Sequence, residues 1–167
     1  PVALAEPNPF SAEQLLIGKD VGGNENIQLH HLDLKSGVSR RLTDGKSLHG
    51  SPVWAHAGQR LAFHGTGRDG MSYDIYVVDT TTDAPPRLVF PASGGDSFTV
   101  LDWTLDDRQL LVRRYSSITD SALLLVDVET GGLDAERDPL LSIGAVAIEQ
   151  GRIVFEPSLE VGLRQAQ

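Results

Sequence analysis

One sequence pattern recurs along this chain at intervals of 46 to 49 residues. Trp54 is followed by Trp103 at a distance of 49 residues, and Val78-Asp79 is followed by Val126-Asp127 at a distance of 48. In the other direction, Asp33 precedes Asp79 by 46 residues. Because residues of different chemistry recur at nearly the same interval, the interval indicates a structural unit that is repeated along the chain.

Each unit predicts about four short strands joined by tight turns. In the second unit, residues 51–55, 60–64 and 73–79 have the alternating or β-branched and aromatic composition of strands. No segment keeps apolar residues at helical spacing over three turns. A repeat of this length with about four strands is typical of propeller blades. We therefore predict an all-β fold, a partial β-propeller of about three to four four-stranded antiparallel blades.

The repeat also predicts the domain organisation. Blade units are expected at about 11–45, 46–93 and 94–139, with the start of another at 140–167, and residues 1–10 as an extended lead-in outside any element. Closed propellers have about 4–8 blades, so residues 1–167 are predicted to be a fragment of one propeller domain. The two end sheets would then present apolar faces, which monomers rarely expose. The remaining blades, another domain or a second copy in a homo-oligomer would have to cover them.

Composition restricts the partners and the chemistry. The net charge of −9 argues against nucleic acid or an anionic membrane as a partner. The absence of cysteine excludes disulfides, thiolate metal sites and a cysteine nucleophile. No apolar run approaches the length of a membrane span. No cofactor is predicted, and a cytoplasmic location is favoured over a periplasmic one.

The surroundings of Trp54 resemble a known repeat. Ser51-Pro52-Val53-Trp54, Gly58-Gln59-Arg60-Leu61-Ala62-Phe63, Asp74-Ile75-Tyr76-Val77-Val78-Asp79 and Arg87-Leu88 resemble the blade repeat shared by TolB-type propellers and the prolyl oligopeptidase (S9) serine peptidases. That repeat usually has a proline-aspartate pair directly before the position of Gly58. This chain has histidine and alanine there, which changes one turn.

Two further stretches resemble S9 peptidases more than TolB: Lys19-Asp20-Val21-Gly22-Gly23-Asn24-Glu25, and Val100-Leu101-Asp102-Trp103 with the strand after it. The resemblance extends over roughly residues 15–132. It implies a propeller that caps an α/β-hydrolase domain of the same protein and admits short or unstructured peptide substrates, while the catalytic serine, aspartate and histidine lie in the hydrolase domain. The alternative is a TolB-like propeller that binds a protein or peptide partner without a catalytic domain.

No catalytic residue is predicted within the chain itself. A serine hydrolase of this class needs Gly-x-Ser-x-Gly at a strand-to-helix turn, and the 167 residues contain no such pentapeptide. Ser51 stands close to His49, but in a loop that enters a strand, so we expect a turn residue. Residues 65–70 are glycine-rich but precede a strand instead of a helix, which favours a hairpin bend over a phosphate site.

No metal site is predicted either. His30 and His31 are adjacent on a strand and point to opposite faces, so they cannot share a metal ion. The other histidines match no zinc spacing, and surface or strand-end positions are expected for His49, His56 and His64. The acidic group of Asp96, Asp102, Asp106 and Asp107 lacks the pattern of a calcium loop, and turn chemistry is expected for Asp106-Asp107. A strand-capping role is expected for Asp33, Asp79 and Asp127.

The candidate binding residues are Arg113 and Arg114. Strand alternation puts the two side chains on opposite faces, so at most one can turn toward a propeller's central channel. There it could bind a peptide carboxylate or carbonyl, whereas a salt bridge with a nearby acidic residue is the structural alternative. Trp54 and Trp103 are assigned to packing between blades, because each large ring can bury well over a hundred Å².

Overall fold

A computed structural model describes residues 1–93 and 95–128 and the two short strands at 147–149 and 152–154. Every regular element in these ranges is a β-strand. The strands are β1 (Val2–Asn8), β2 (Ser11–Lys19), β3 (Gln28–Asp33), β4 (Ser39–Arg41), β5 (His49–Trp54), β6 (Arg60–Gly65), β7 (Asp74–Asp79), β8 (Arg87–Phe90), β9 (Ser97–Trp103), β10 (Gln109–Ser117), β11 (Asp120–Asp127), β12 (Ala147–Glu149) and β13 (Arg152–Val154). Over the same ranges no helix is long and apolar enough to cross a membrane.

The strands form antiparallel sheets in which chain neighbours are sheet neighbours. Sheet 1 has the order β1-β2-β3-β4, sheet 2 has the order β5-β6-β7-β8, and sheet 3 contains β9, β10 and β11 in the same sequence. The strands β12 and β13 pair with each other. The predicted all-β, antiparallel class is confirmed. Most of the predicted fourth unit, 140–167, lies outside the described residues.

The prediction that residues 1–10 form no element was wrong, because Val2–Asn8 is the first strand of sheet 1. The prolines suggested a lead-in, since proline lacks the backbone N–H that a central strand needs. However, β1 is an edge strand that pairs only with β2, and Pro7 lies opposite Leu15 at that edge. An edge position tolerates proline because one side of the strand needs no donor.

Sheet 2 is covered on both faces. Three consecutive residues of β6, Leu61, Ala62 and Phe63, are fully buried although their side chains alternate between faces. Leu61 and Phe63 belong to the core shared with sheet 1, whereas Ala62 belongs to the core shared with sheet 3. A strand buried on both faces requires a sheet stacked on each side, which is the arrangement predicted from the repeat.

Both tryptophans lie between sheets, as the sequence predicted. Trp54 packs with Leu16 and Leu29 in the core between sheets 1 and 2. Trp103 packs in the core between sheets 2 and 3, and its indole N–H donates to the carbonyl oxygen of Val53 at 3.0 Å. The two rings therefore occupy equivalent positions in consecutive inter-sheet layers.

Two of the recurrent aspartates at strand ends, Asp33 and Asp79, cap the turns that follow them, and the residues after Val128, which would form the turn after Asp127, lie outside the described ranges. The Asp33 carboxylate accepts hydrogen bonds from the Ser36 amide at 2.7 Å and the Ser36 hydroxyl at 3.0 Å. Asp79 likewise accepts from the amide and hydroxyl of Thr81. Asp127 instead accepts from the side-chain amide of Gln109 on the paired strand, at 2.6 Å. The capping prediction is thus confirmed for the first two aspartates.

Candidate functional site

The first strand of each sheet forms an unpaired and irregular edge, which we call the first-strand edge (β1, β5 and β9). Each of these strands pairs on one side within its sheet, with the second strand. Each pairing shifts register: β1 does so between Val2 and Leu4 and again between Pro7 and Asn8, β5 between Gly50 and Val53, and β9 next to Leu101. Such bulges twist a strand and re-aim its side chains, and they are over-represented next to functional sites. The first-strand edge is therefore the best-shaped candidate surface of the fold.

Exposed side chains on these strands differ in chemistry. Ser51 is exposed and has a backbone φ of 47°, a left-handed conformation that is uncommon for serine. Leu101 and Asp102 are exposed on β9, which packs against β5. A hydroxyl, a carboxylate and an apolar side chain thus flank backbone groups that have no partner strand. Such an edge can accept an extended peptide through main-chain hydrogen bonds.

Arg113 and Arg114 lie on β10 and face opposite sides of sheet 3. Arg114 shares a face with Val112, which packs toward sheet 2. Its Nη2 lies 3.1 Å from Oδ1 of Asp120, and its Nε lies 3.8 Å from Oδ2 of Asp96. Arg113 is exposed and has no partner among the described residues. Only Arg113 is thus available to a ligand, and its role in binding stays a prediction.

Asp107 joins two sheets, a role that the sequence did not indicate. Its carboxylate accepts hydrogen bonds from the amides of His56 and Ala57, at 2.7 and 2.8 Å, and lies 3.0 Å from Nδ1 of His56. Burial raises the pKa of Asp107, but these hydrogen bonds outweigh it, so the pKa lies below its ordinary value. The predicted turn chemistry belongs to Asp106, which bonds the hydroxyl of Thr104 at 2.6 Å.

His49, His56 and His64 lie near strand ends or in a turn, as predicted, although His49 is buried and His64 is half-buried. His49 begins β5, and its ring packs edge-on against Phe63 with 5.6 Å between centroids. Burial lowers the pKa of His49 below its ordinary value. Burial also lowers the pKa of His64, to about 4. Within the described ranges no three His, Asp or Glu side chains are close enough to hold a metal ion.

Residues 65–70 form the hairpin bend that the sequence predicted, and an ion pair between the exposed Arg68 and the buried Asp74 holds it. Asp74 is completely buried and receives Nε and Nη2 of Arg68 at 2.8 and 2.9 Å. The amide of Ala92 donates to the same carboxylate at 2.7 Å. Every carboxylate oxygen is therefore hydrogen-bonded, as a buried charge requires. In the sequence, this ion pair was indicated by the spacing of Arg68 and Asp74 within the stretch that resembles the blade repeat.

Comparison with solved structures places this geometry among known propellers. The chain is similar to TolB from Acinetobacter baumannii, with a TM-score of 0.55 and 17% identity over 77% of this chain and 30% of that one. It is similar to prolyl oligopeptidase B from Galerina marginata, with a TM-score of 0.62 and 8% identity over 92% of this chain and 22% of that one. A puromycin-hydrolyzing peptidase of Mycobacterium tuberculosis gives a TM-score of 0.58 and 16% identity over 92% and 28%.

The fold is a TolB-like/S9 β-propeller. No family model and no curated protein matches the chain. The chain spans between 22% and 30% of the length of these three structures, so it corresponds to part of each of them. Sheets 1, 2 and 3 are accordingly consecutive blades of a partial β-propeller, as the repeat predicted. Blades surround a central channel in this architecture.

Proposed function

We propose that this chain is the propeller portion of an S9-type serine peptidase and controls the access of peptides to a hydrolase domain outside residues 1–167. The observation that carries the proposal is the unfinished stack of blades, because its end faces need more protein. Leu15, Ile17 and Leu32 are half-buried on the side of sheet 1 that faces away from sheet 2. On sheet 3, Leu101 is 41% exposed. The resemblance of residues 19–25 to the early propeller of S9 peptidases supports this choice of family.

The proposed control of access works by size and by backbone hydrogen bonding. A channel lined by the first-strand edge excludes folded proteins, because only an extended chain is narrow enough to enter between blades. Unpaired N–H and C=O groups of such an edge can hold an extended peptide without reading its sequence. In this function Arg113 would bind a peptide carboxylate, as a guanidinium does with two parallel hydrogen bonds. Hydrolysis itself would take place in the hydrolase domain.

A serine-reactive probe tests the proposal. The intact parent protein and the 167-residue chain are each incubated with an alkylphosphonate, and the labelled residue is identified by mass spectrometry. We expect one labelled serine in the parent, outside residues 1–167, and no labelling of the isolated chain. Peptides of increasing length are then offered to the parent, which should hydrolyse short ones and leave a folded protein intact. Stoichiometric labelling of Ser51 or of any other serine in the chain would contradict the proposal.

The second candidate is a TolB-like propeller that binds a protein or peptide partner, with no catalytic domain. The similarity to TolB from Acinetobacter baumannii supports it, because that protein also has the propeller fold. A parent protein that the alkylphosphonate does not label, and that hydrolyses no peptide of any length, would support this candidate over the peptidase.

A further inference from the structure

A cleft of about 540 Å³ opens between sheets 1 and 2. Its walls come from β4 and the turn after it, the end of β6, the hairpin bend and the β7–β8 loop. The volume lies in the range of sites for small molecules, about 300–1,000 Å³. The peptidase function proposed above does not use this cleft.

The apolar part of the cleft is aromatic and flat. Phe63 and Tyr76 stack at 5.9 Å between ring centroids with 17° between their planes. Leu88 and the pair Pro85-Pro86 line the same space. Rings and prolines present rigid, planar surfaces, so this cleft suits a flat apolar group better than a branched chain.

Three arginines line the cleft, and two of them each donate at least two hydrogen bonds to groups of the fold. Arg40 donates to the carbonyl oxygens of Thr80 and Thr82, both at 2.5 Å. Arg68 is held by the buried carboxylate of Asp74. These two cations therefore serve the fold.

Arg41 is different, because only its Nε is used, in a hydrogen bond of 3.0 Å to the carbonyl oxygen of Thr43. Its two terminal nitrogens have no acceptor among the described residues. The guanidinium lies against Gly45, where an added Cβ would come within 2.7 Å of Nη1. A fork that is anchored at Nε and open at both terminal nitrogens has the geometry that binds a carboxylate.

The acidic residues of the cleft limit the ligand to one negative charge. Asp44 accepts hydrogen bonds from the amides of Lys46 and Ser47 and from the Ser47 hydroxyl, so it is held ionised in its own turn. Asp83 lies 3.4 Å from Arg40 and is 95% exposed. A ligand with two or more negative charges would meet these carboxylates, whereas a monocarboxylate needs only Arg41.

We infer that the cleft between sheets 1 and 2 binds a carboxylate carried by a flat apolar ring, with Arg41 on the carboxylate and the half-buried Tyr76, backed by the buried ring of Phe63, on the ring. Such a group occurs at the C-terminal residue of a peptide that ends in an aromatic side chain, and in a free aromatic carboxylic acid. Both sources share the chemistry that the cleft recognises.

Titration of the 167-residue chain with three probes, followed by two-dimensional NMR, tests the inference. The probes are N-acetylphenylalanine, its uncharged amide and 3-phenylpropionate. We expect the carboxylates to shift the signals of Phe63, Tyr76 and Leu88, and the amide to bind about tenfold more weakly or worse. Binding of N-acetylphenylalanine alone assigns the site to peptide C-termini, and equal binding of phenylpropionate assigns it to free acids. An amide that binds as well as the acid, or probes that shift no cleft signal, would overturn the inference.

Variants separate the role of Arg41 from general electrostatics. Arg41→Gln should weaken carboxylate binding about tenfold or more, and Arg41→Lys should recover part of it, because the charge returns without the fork. Arg108→Gln removes an exposed arginine of sheet 3 and should leave binding unchanged. If Arg41→Gln fails to fold, the comparison of acid with amide on the unsubstituted chain still tests whether the cleft binds a carboxylate. Unchanged affinity in a folded Arg41→Gln would also contradict the inference.

Discussion

At the scale of single residues, two carboxylates do more than their local sequence suggests. Asp107 stands in a turn, where turn chemistry was expected, but it binds the His56 amide of the neighbouring sheet. Asp74 binds Arg68 in its own hairpin bend and also the Ala92 amide, which follows β8 of the same sheet. Turn propensity is a local property and was predicted well, whereas a hydrogen bond between blades depends on how the sheets stack. In the sequence, only the repeat indicates how the sheets stack.

Replacing Asp107 with alanine should destabilise the chain by about 2–3 kcal/mol, because two backbone amides and an imidazole lose a charged acceptor. Asp107→Asn should cost less, since asparagine keeps one carbonyl oxygen and tolerates the φ of 56° found at this position. Urea unfolding measures both. Asp106→Asn is the matched control, because Asp106 caps only its own turn, and its loss should be much smaller. Equal losses at 106 and 107 would contradict the inter-sheet role.

His49, which is buried, and His64, which is half-buried, predict a loss of stability in mild acid. Their pKa values are lowered in the folded protein, so between pH 6.5 and about 4 the unfolded chain binds protons that the folded chain does not. The free energy of unfolding should therefore be highest above pH 6.5 and fall as the pH decreases toward 4. For His64 the expected fall is of the order of 3 kcal/mol.

Urea unfolding at several pH values, compared between the unsubstituted chain and His64→Gln, measures this contribution. The carboxylates of Asp44 and Asp69 have pKa values of about 2 in the folded protein. The stability that these carboxylates contribute is therefore lost at a lower pH than the contribution of the histidines. The variant should show a flatter profile between pH 6.5 and 4. An unchanged slope would show that His64 does not carry the effect.

At the scale of elements, the strands and most turns were predictable, and the first strand was not. Alternation and β-branched composition placed β5, β6 and β7 close to their observed positions. The β1 strand was missed because its prolines contradict a central strand, and edge positions cannot be recognised before the sheet order is known. The bulges of the first-strand edge were invisible for the same reason, since a bulge is defined by the partner strand.

The two tryptophans predict different costs for the same substitution. Trp103→Phe removes the hydrogen bond to the Val53 carbonyl and the contact with the Arg60 guanidinium, which lies 4.9 Å from the ring centroid. Trp54→Phe removes a similar volume, but its Nε1 has no hydrogen-bond partner in the described part of the chain. We expect Trp103→Phe to destabilise by about 1–3 kcal/mol more than Trp54→Phe. Unfolding followed by the fluorescence of the remaining tryptophan measures both, and equal costs would contradict the prediction.

At the scale of the whole molecule, the open faces predict self-association of the isolated chain. The outer face of sheet 1 carries half-buried Leu15, Ile17 and Leu32, an apolar patch of the kind that monomers rarely expose. Light scattering at several concentrations should show a mass that rises with concentration. Ile17→Lys should reduce this association by placing a charge in the patch. Val21→Lys is the control, because Val21 lies in an exposed turn outside the sheet.

A monomer at every concentration would show that the open faces tolerate water, and association that Ile17→Lys leaves unchanged would place the contact on another surface.

The arginine pair illustrates what the whole-molecule view adds to the sequence. Alternation correctly separated Arg113 from Arg114, but only the pairing of the strands within sheet 3 brings Arg114 to Asp96 and Asp120. The cleft at Arg41 was likewise unpredictable, since its walls come from two blades.

The connectivity of the sheets has a consequence for biosynthesis. Because each sheet is a meander of chain neighbours, its backbone hydrogen bonds join residues that leave the ribosome within seconds of each other. Short sequence separation between contacting residues favours rapid folding. Each sheet can therefore form before the next is translated and then serve as the template on which its successor docks.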